Sequence, residues 1–269
     1  MPLICPLTCE FSLYMLILAH HKLKKDIKMT GNKVKIIACI TMFLDHLGLL
    51  IFPDIIVFRY IGRIAMPLYA YLISEGAYYT SNKLKYFLEI FLMGVLCQSV
   101  YVVEELLSFG VSSLYLNILI TFSFSILMII PYLKAREYHI KADKKKATIY
   151  FGVFILSVIF TVLFNFIAEN SLQLFNFRIT LDYGLTGALL PLSAALFKDK
   201  RNKLLSFACF LVLFNLDMAA SMPYTWFSLI ALIVLLVYNE KRGVKRFKYA
   251  FYLFYPLHLA FIYLLSALI

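Results

Sequence analysis

Long apolar runs alternate with short polar segments along the chain. Each run contains 15 to 22 residues, and a helix of about 20 residues crosses a hydrocarbon core of about 30 Å. The pattern therefore predicts an all-α fold, a polytopic bundle of nine transmembrane helices. The predicted segments are residues 36–53, 57–77, 86–107, 114–133, 147–168, 183–197, 204–220, 224–238 and 249–269.

Charged residues divide the connecting segments into two alternating sets. Of the 26 Lys and Arg residues, 23 lie before the first helix or in every second loop after it. The other loops are acidic and contain only one basic residue, Arg178, while Arg59 and Arg63 lie in the second helix. Because loops rich in Lys and Arg remain in the cytoplasm, we expect the basic loops to be cytoplasmic and the C-terminus extracytoplasmic.

Residues 1–28 allow two interpretations. Residues 3–20 are apolar enough to form a tenth helix, although no positive segment precedes them as in a signal peptide. Met29, which opens a short polar lead into the first helix, also resembles a natural start. We therefore interpret residues 1–28 as an N-terminal extension that results from a translation start assigned upstream of the natural one. Residues 29–269 are interpreted as a single transmembrane domain.

Composition narrows the functional classes. The chain is 62% hydrophobic and 15% charged, whereas soluble domains are roughly 45–50% apolar and 25% charged. The net charge of +11 arises in short loops, where it acts as a topology signal, so we do not expect a nucleic-acid partner. The five cysteines lie singly in apolar surroundings without a CxxC pair, so no disulfide framework and no metal site are expected.

Two adjacent ionisable residues, Asp45 and His46, interrupt the first apolar run. An ionisable group at the membrane centre costs about 2.5–3.5 kcal/mol on insertion scales, so such residues usually have a function or a partner. His46 lies 11 residues after Lys35, about 16 Å along a helix, and His258 lies 10 residues after Lys248, about 15 Å. We expect the two histidines to lie at one depth, close to the midplane.

Neighbouring residues on a helix point about 100° apart, so Asp45 and His46 face different partners. We expect Asp45 to orient His258 or Arg63 and His46 to face the reactants. The alternative is a structural pair that only ties helices together.

The second and last helices carry the other candidates. Arg59 and Arg63 lie one turn apart on one face, and Arg63 is too deep to reach water easily. Glu75 lies near the predicted cytoplasmic end of the same helix, and Tyr255 shares a face of the last helix with His258. Simpler interpretations are an assembly ion pair for Arg63 and a packing role for Tyr255.

Several segments, taken together and in order, resemble the TraX family of membrane proteins. They are "DHLG", "FRYIGRIAMPLYAYLISEG", "LNILITF", "LDYGLTGALLPL", "YNEKRG" and "FYLFYPLHL". The resemblance spans about residues 33–265. The polar positions of this chain that match the family are Asp45, His46, Arg63, Glu75, Asp182, Tyr255 and His258.

The resemblance implies a membrane acyltransferase, since the family is named for a conjugative-plasmid protein that acetylates the N-terminal amine of pilin. It implies acetyl-CoA as co-substrate and an acceptor at the membrane: a peptide amine, a glycan or a lipid-linked sugar. The implied location is a bacterial plasma membrane. We expect His46, Asp45, His258 and Tyr255 to be catalytic. We expect four residues to bind the cofactor: Arg63, Arg59, Glu75 and Asp182.

Imidazole suits this chemistry because a general base works best with a pKa near the operating pH. His46, with His258 as partner or alternate base, would deprotonate the acceptor as it attacks the thioester. The competing hypothesis is a proton-coupled transporter or flippase with Asp45, His46 and His258 as a proton relay. The odd number of helices and the absence of a sequence repeat disfavour it, because many transporters contain duplicated halves.

Overall fold

The computed structural model describes residues 29–107, 113–171, 178–241, 243 and 248–268. Residues 1–28, and with them the predicted N-terminal extension, lie outside the described residues. The described helices are α1 Gly31–Leu50, α2 Ile56–Gly62, α3 Ala65–Tyr79, α4 Lys83–Leu107, α5 Ile118–Ile140, α6 Lys144–Glu169, α7 Gly184–Ala195, α8 Lys200–Met218, a 3-10 helix Pro223–Leu229, α9 Ile230–Val237 and α10 Lys248–Leu268. Two strands, β1 Ser113–Leu116 and β2 Arg178–Leu181, complete the fold.

The helices confirm the predicted all-α bundle. Each of the nine apolar runs contains helix, and four described segments are long and apolar enough to cross a membrane: Ile56–Tyr79, Lys83–Val103, Ile118–Ile140 and Lys144–Glu169. Large apolar side chains on α6, such as Leu156 and Phe166, are exposed. Such exposure is expected where helices face lipid instead of water.

The second predicted helix is interrupted. Helix α2 ends at Gly62, a turn follows at Arg63 and Ile64, and α3 begins at Ala65. Pro67 thereby falls in the first turn of α3, where a missing backbone N–H costs little. The backbone amides at the interruption remain paired, because Arg63 donates to the Arg59 carbonyl and Ile64 to the Ile61 carbonyl, each at 3.2 Å.

The two strands pair in parallel, with Ser113 opposite Arg178 and Leu116 opposite Leu181. The sequence predicted a helix that begins at residue 114. That prediction was wrong for residues 114–117, which precede α5. Asn117, which is fully buried, separates β1 from α5 because its side chain accepts a hydrogen bond from the Leu119 amide at 3.1 Å. Runs of four residues are too short for hydrophobic periodicity to distinguish a strand from a helix.

Contacts among the connecting segments define two ends of the bundle. At one end, called the basic end, the Gly31 amide donates to the Lys241 carbonyl at 2.7 Å, and Lys200 reaches the Leu236 carbonyl at 2.9 Å. At the other, called the acidic end, Thr186 donates to Asp217 at 2.7 Å. Segments of the basic set thus contact one another, and so do segments of the acidic set.

A buried ion pair ties α1 to the interrupted helix. The Arg63 guanidinium pairs with the Asp45 carboxylate, and both residues are at least nine-tenths buried. Arg59 reaches the same carboxylate oxygen at 3.0 Å. Gly62 permits this approach, because a Cβ atom there would overlap the Asp45 carboxylate. The helices can therefore close around Asp45 only with glycine at position 62.

Gly62→Ala should destabilise the protein by roughly 1–3 kcal/mol, because the added methyl group overpacks the Asp45 site. Gly152→Ala is the matched control, since a Cβ atom at Gly152 meets nothing within 4 Å. That control should be neutral or stabilising by up to about 1 kcal/mol. Thermal unfolding in lipid nanodiscs measures both, and equal stability of the two variants would contradict the steric argument.

Asp45→Asn should cost about 3–5 kcal/mol of stability, because it leaves the Arg63 guanidinium buried without its counter-ion. The double variant Asp45→Asn/Arg63→Met should recover much of the loss. Asp54→Asn, at an exposed position, should stay within about 0.5 kcal/mol of the parent protein. Additive losses in the double variant would show that the two side chains do not interact.

Candidate functional site

Two histidines from opposite ends of the sequence meet inside the bundle. His46 Nδ1 lies 3.4 Å from His258 Nε2, and the rings pack edge to face with centroids 5.0 Å apart. The expectation that α1 and the last helix bring these residues to one depth is confirmed. His258 is 4% exposed, and His46 is half-buried.

Backbone carbonyls define the proton positions on the neutral rings. His258 Nδ1 lies 2.8 Å from the Phe254 carbonyl, which can only accept, so Nδ1 carries the proton and Nε2 a free lone pair. His46 Nδ1 lies 3.0 Å from the Met42 carbonyl and also faces His258 Nε2. It must therefore carry a proton, which it shares between these two acceptors. The remaining lone pair, on His46 Nε2, has no hydrogen-bond partner among the described residues.

The two histidines occupy different positions along their helices. His46 lies about 22 Å along α1 from Gly31 and about 6 Å from Leu50, where α1 ends. His258 lies at the middle of α10, about 15 Å from both Lys248 and Leu268. The expected position of the pair near the membrane midplane stays a prediction.

Asp45 and His46 have different partners, as predicted from their angle on the helix. Asp45 orients Arg63, and the described contacts include none between Asp45 and His258. Arg63 Nη1 also donates to the Tyr183 hydroxyl at 3.1 Å, and its guanidinium lies 5.5 Å from the Tyr224 ring. The ion pair therefore fixes the rotation of α1 and leaves His46 facing His258.

Tyr183 connects the ion pair to α7. Its φ angle is +56°, in the left-handed region, and the following Gly184 has the same φ value. A non-glycine residue adopts this conformation at a cost of roughly 1–2 kcal/mol. The hydrogen bond from Arg63 and the one from the Gly187 amide at 2.9 Å hold it there.

Asp182 and Tyr255 approach the same region from two other elements. Tyr255 is buried and packs edge-on against His258, with ring centroids 5.4 Å apart. The Asp182 amide donates to the Leu116 carbonyl at 2.9 Å, which continues the strand pairing. The Asp182 side chain is hydrogen-bonded to Tyr115. Seven of the eight predicted site residues thus lie in one contiguous region.

A cavity of about 580 Å³ extends from the basic end towards this region. Gly31, Lys35 and Thr80 line it at the basic end, and Tyr255 borders its inner end, one helical turn before His258. Apolar side chains form much of the wall between α3, α4 and α5: Leu72, Ile73, Ile90, Met93, Leu119 and Phe122.

Glu75 lines the cavity and is separate from the other predicted cofactor-binding residues. It lies 12 residues beyond Arg63, about 18 Å along the chain. The Tyr238 hydroxyl donates to Glu75 Oε2 at 2.5 Å, and the Lys203 ammonium lies 3.7 Å from Oε1. Within the described residues Oε1 is buried without a hydrogen-bond donor. Arg59, Arg63 and Asp182 do not line this cavity.

Some residues of the site were not identified from the sequence. Tyr183 belongs to the segment "LDYGLTGALLPL", and Tyr238 and Glu240 belong to "YNEKRG". Lys203 was counted only as a basic-loop residue, yet it is 7% exposed and pairs with Glu240 at 2.7 Å. Its position after the cap Asp199, in the first turn of α8, indicated only a helix start.

Comparison with known proteins relates the chain to one family. Residues 30–266 match the family described as TraX protein. The "Probable fimbrial assembly protein FimC, serogroup H1" of Dichelobacter nodosus is 25% identical over 261 residues, 88% of this chain and 96% of that protein. The uncharacterized protein RP591 of Rickettsia prowazekii (strain Madrid E) is 40% identical over 45 residues, 17% of this chain and 18% of that protein. No solved structure matches the chain.

The family match includes the histidine pair, the buried ion pair and Glu75. It also covers most of the chain, in agreement with the resemblance seen in the sequence segments. The chain belongs to the TraX family.

Proposed function

We propose that the protein is a membrane-embedded acyltransferase that moves an acetyl group from acetyl-CoA to an amine or hydroxyl acceptor. The observation that carries this proposal is the histidine pair, with one free ring nitrogen, beside Tyr255, which borders the inner end of a long cavity. The TraX family and the fimbrial assembly protein among its relatives fit an acceptor of the pilin type, a peptide amine.

His46 is the base in this proposal, because its Nε2 is the ring nitrogen with an unshared lone pair. The acceptor N–H or O–H attacks the thioester carbonyl while Nε2 takes the proton. The C–S bond then breaks, and the protonated imidazole returns a proton to the CoA thiolate. His258 accepts from His46 Nδ1 and so holds the reactive tautomer, in the way an orienting partner holds a general base.

The cavity suits the arm of a coenzyme A donor. Between Thr80 and Tyr69 it follows 11 residues of the α3 segment, about 16 Å. The pantetheine arm has 12 bonds from its phosphate oxygen to sulfur and extends to about 15 Å at standard bond lengths. Glu75 Oε1 could accept one of the two amide N–H groups of that arm, since it lacks a hydrogen-bond donor within the described residues.

The charge distribution supports an orientation with the basic end in the cytoplasm of a bacterial cell and the C-terminus outside. Acetyl-CoA then enters from the cytoplasm. The acceptor reaches His46 from the acidic end, on the side where α1 ends at Leu50, about 6 Å along the helix from His46. The donor and acceptor thus approach from opposite sides of the membrane. Arg63, held by Asp45 and Tyr183, positions α1 in this arrangement.

Replacement of His46 by alanine should lower CoA release by about 10²–10⁴-fold, because the general base is lost. His258→Gln should cost much less than His258→Leu, since only the glutamine can accept a hydrogen bond from His46 Nδ1. CoA release from acetyl-CoA measures these effects, with protein in lipid nanodiscs and a short peptide with a free N-terminal amine as the acceptor. His139→Ala, at an exposed position on α5, is the control for loss of a histidine.

Equal activity of the His258→Gln and His258→Leu variants would contradict the orienting role of His258. Unchanged CoA release in His46→Ala would exclude His46 as the base. If the parent protein neither binds acetyl-CoA nor releases CoA, the acyltransferase proposal fails and the proton-coupled transporter becomes the better hypothesis.

Met93→Trp should raise the KM for acetyl-CoA by roughly tenfold or more, because the indole fills the cavity proposed for the pantetheine arm. Leu92→Trp is the matched control, since Leu92 is the preceding residue on α4 and is 61% exposed. Steady-state CoA release and thermal unfolding are measured for both variants. Equal KM values at equal stability would show that the donor binds elsewhere.

A further inference from the structure

Residues 134–146, which span the end of α5 and the start of α6, carry a concentrated positive charge. Six of them are basic and two are acidic. Glu137 pairs with Lys141 at 2.6 Å, and Asp143 lies 3.4 Å from the Lys146 ammonium. The other four basic residues form no ion pair with the described part of the chain. The segment therefore keeps an excess of positive charge at the basic end of the bundle.

Two stacked tyrosines organise this charge. The Tyr138 ring of α5 and the Tyr150 ring of α6 are nearly parallel, with centroids 5.4 Å apart. The Lys134 ammonium, from α5, lies 5.0 Å from the centroid of Tyr150. The Lys146 ammonium, from α6, lies 5.3 Å from the centroid of Tyr138. Each helix thus places a cation on the ring of the other helix, and cation–π attraction favours both contacts.

A third lysine joins the pair from the turn between the helices. The Lys141 ammonium lies 5.8 Å from the centroid of Tyr138. The turn is short, because the Asp143 amide donates to the Tyr138 carbonyl at 3.0 Å and the Asp143 side chain accepts from the Lys146 amide at 3.1 Å. We call Lys134, Tyr138, Lys141, Lys146 and Tyr150 the tyrosine–lysine cluster.

Little of the protein packs against this end of α6. Residues 144–160 of α6 include none that is buried, and the buried residues of the helix all lie in its acidic-end part: Thr161, Asn165 and Ala168. Ile149, one turn after the lysines, is 54% exposed. The ammonium groups thus lie beside apolar side chains that face the hydrocarbon, which is the level of the lipid phosphates.

We propose that the tyrosine–lysine cluster binds the phosphate of an anionic phospholipid of the phosphatidylglycerol type, in the leaflet at the basic end. Lysine ammonium groups are suited to phosphate oxygens as compact point charges. Basic pockets between membrane helices bind anionic headgroups in the same way. The exposed apolar face of α6 then accommodates the acyl chains. This site is separate from the proposed acetyl transfer and does not depend on it.

The preference for basic loops on one side of a membrane does not by itself explain this arrangement. That preference accounts for the number of basic residues in a loop. It does not require lysines of two helices to converge on one pair of stacked rings. A bound phosphate, in contrast, needs cations from both sides, and Lys134 and Lys146 supply them from α5 and α6. The lipid thereby joins two helix ends that share few buried contacts.

The experiment measures the unfolding temperature of the full chain in a non-ionic detergent as phosphatidylglycerol is added. A ligand that binds only the folded protein raises this temperature in a saturable way, which gives an apparent Kd. We expect Lys134→Gln/Lys146→Gln to raise that Kd by about tenfold or more, because each lysine near an anionic lipid contributes about fivefold. Lys134→Arg/Lys146→Arg keeps both charges and should stay within about threefold of the parent protein.

A matched control removes the same charge elsewhere at the basic end. Lys33 and Arg201 are exposed members of the other basic segments, so Lys33→Gln/Arg201→Gln should leave the Kd within about twofold. Phosphatidylcholine, which has no net charge, should not give the saturable increase. Inorganic phosphate at the same concentration should also have no such effect, because it lacks the acyl chains that lie along α6.

Native mass spectrometry provides a second measurement, which does not depend on the unfolding transition. The parent protein should retain phosphatidylglycerol after purification in its presence, and Lys134→Gln/Lys146→Gln should lose it.

Equal losses in Lys134→Gln/Lys146→Gln and in the control variant would overturn the site, because they would show only general attraction to a basic surface. The absence of saturable stabilisation and of retained phosphatidylglycerol in the parent protein would overturn it as well. Equal stabilisation by phosphatidylcholine would remove the role of charge. Equal stabilisation by inorganic phosphate would show that the ligand is a soluble anion and not a lipid.

Discussion

The buried ion pair between Asp45 and Arg63 is the constraint on which the site depends. Each charge costs several kcal/mol to bury, and the cost is offset only when the two side chains meet. Their meeting fixes the rotation of α1 about its own axis, because Asp45 can face Arg63 in one orientation only. His46, about 100° further around the helix, is thereby directed towards His258. The proposed general base is thus oriented by a neighbouring residue that takes no part in the proposed chemistry.

The Asp45–Arg63 ion pair also positions elements in the C-terminal half of the chain. Arg63 holds the Tyr183 hydroxyl, and Tyr183 determines where α7 begins. Asp182, the preceding residue, is held from β1 through the Leu116 carbonyl. The interruption of the second helix, the start of α7 and the strand pair therefore belong to one polar assembly. The Glu75 cluster forms a second assembly about 18 Å away along the chain. The cavity that Glu75 lines extends to Tyr255, which packs against His258.

Much of the helix bundle could be predicted from the sequence. A long apolar run in a membrane forms a helix, because the helix satisfies all its backbone hydrogen bonds internally. The meeting of His46 with His258 could also be predicted, since helix rise converts residue number into depth. The turn at Arg63 and the four-residue strands could not, because they depend on contacts with distant segments and not on local periodicity.

The pairing of β1 with β2 has a consequence for how the protein is made. The strands flank the α5–α6 hairpin, so the ribosome must synthesise both helices before β2 exists to pair with β1. The hairpin can enter the bilayer early, but Tyr115 cannot contact Asp182 until residues 178–182 have left the ribosome. His46 can contact His258 only after synthesis of α10, the last of the described helices. Chains that end before α10 should therefore insert into the membrane without containing an assembled histidine pair.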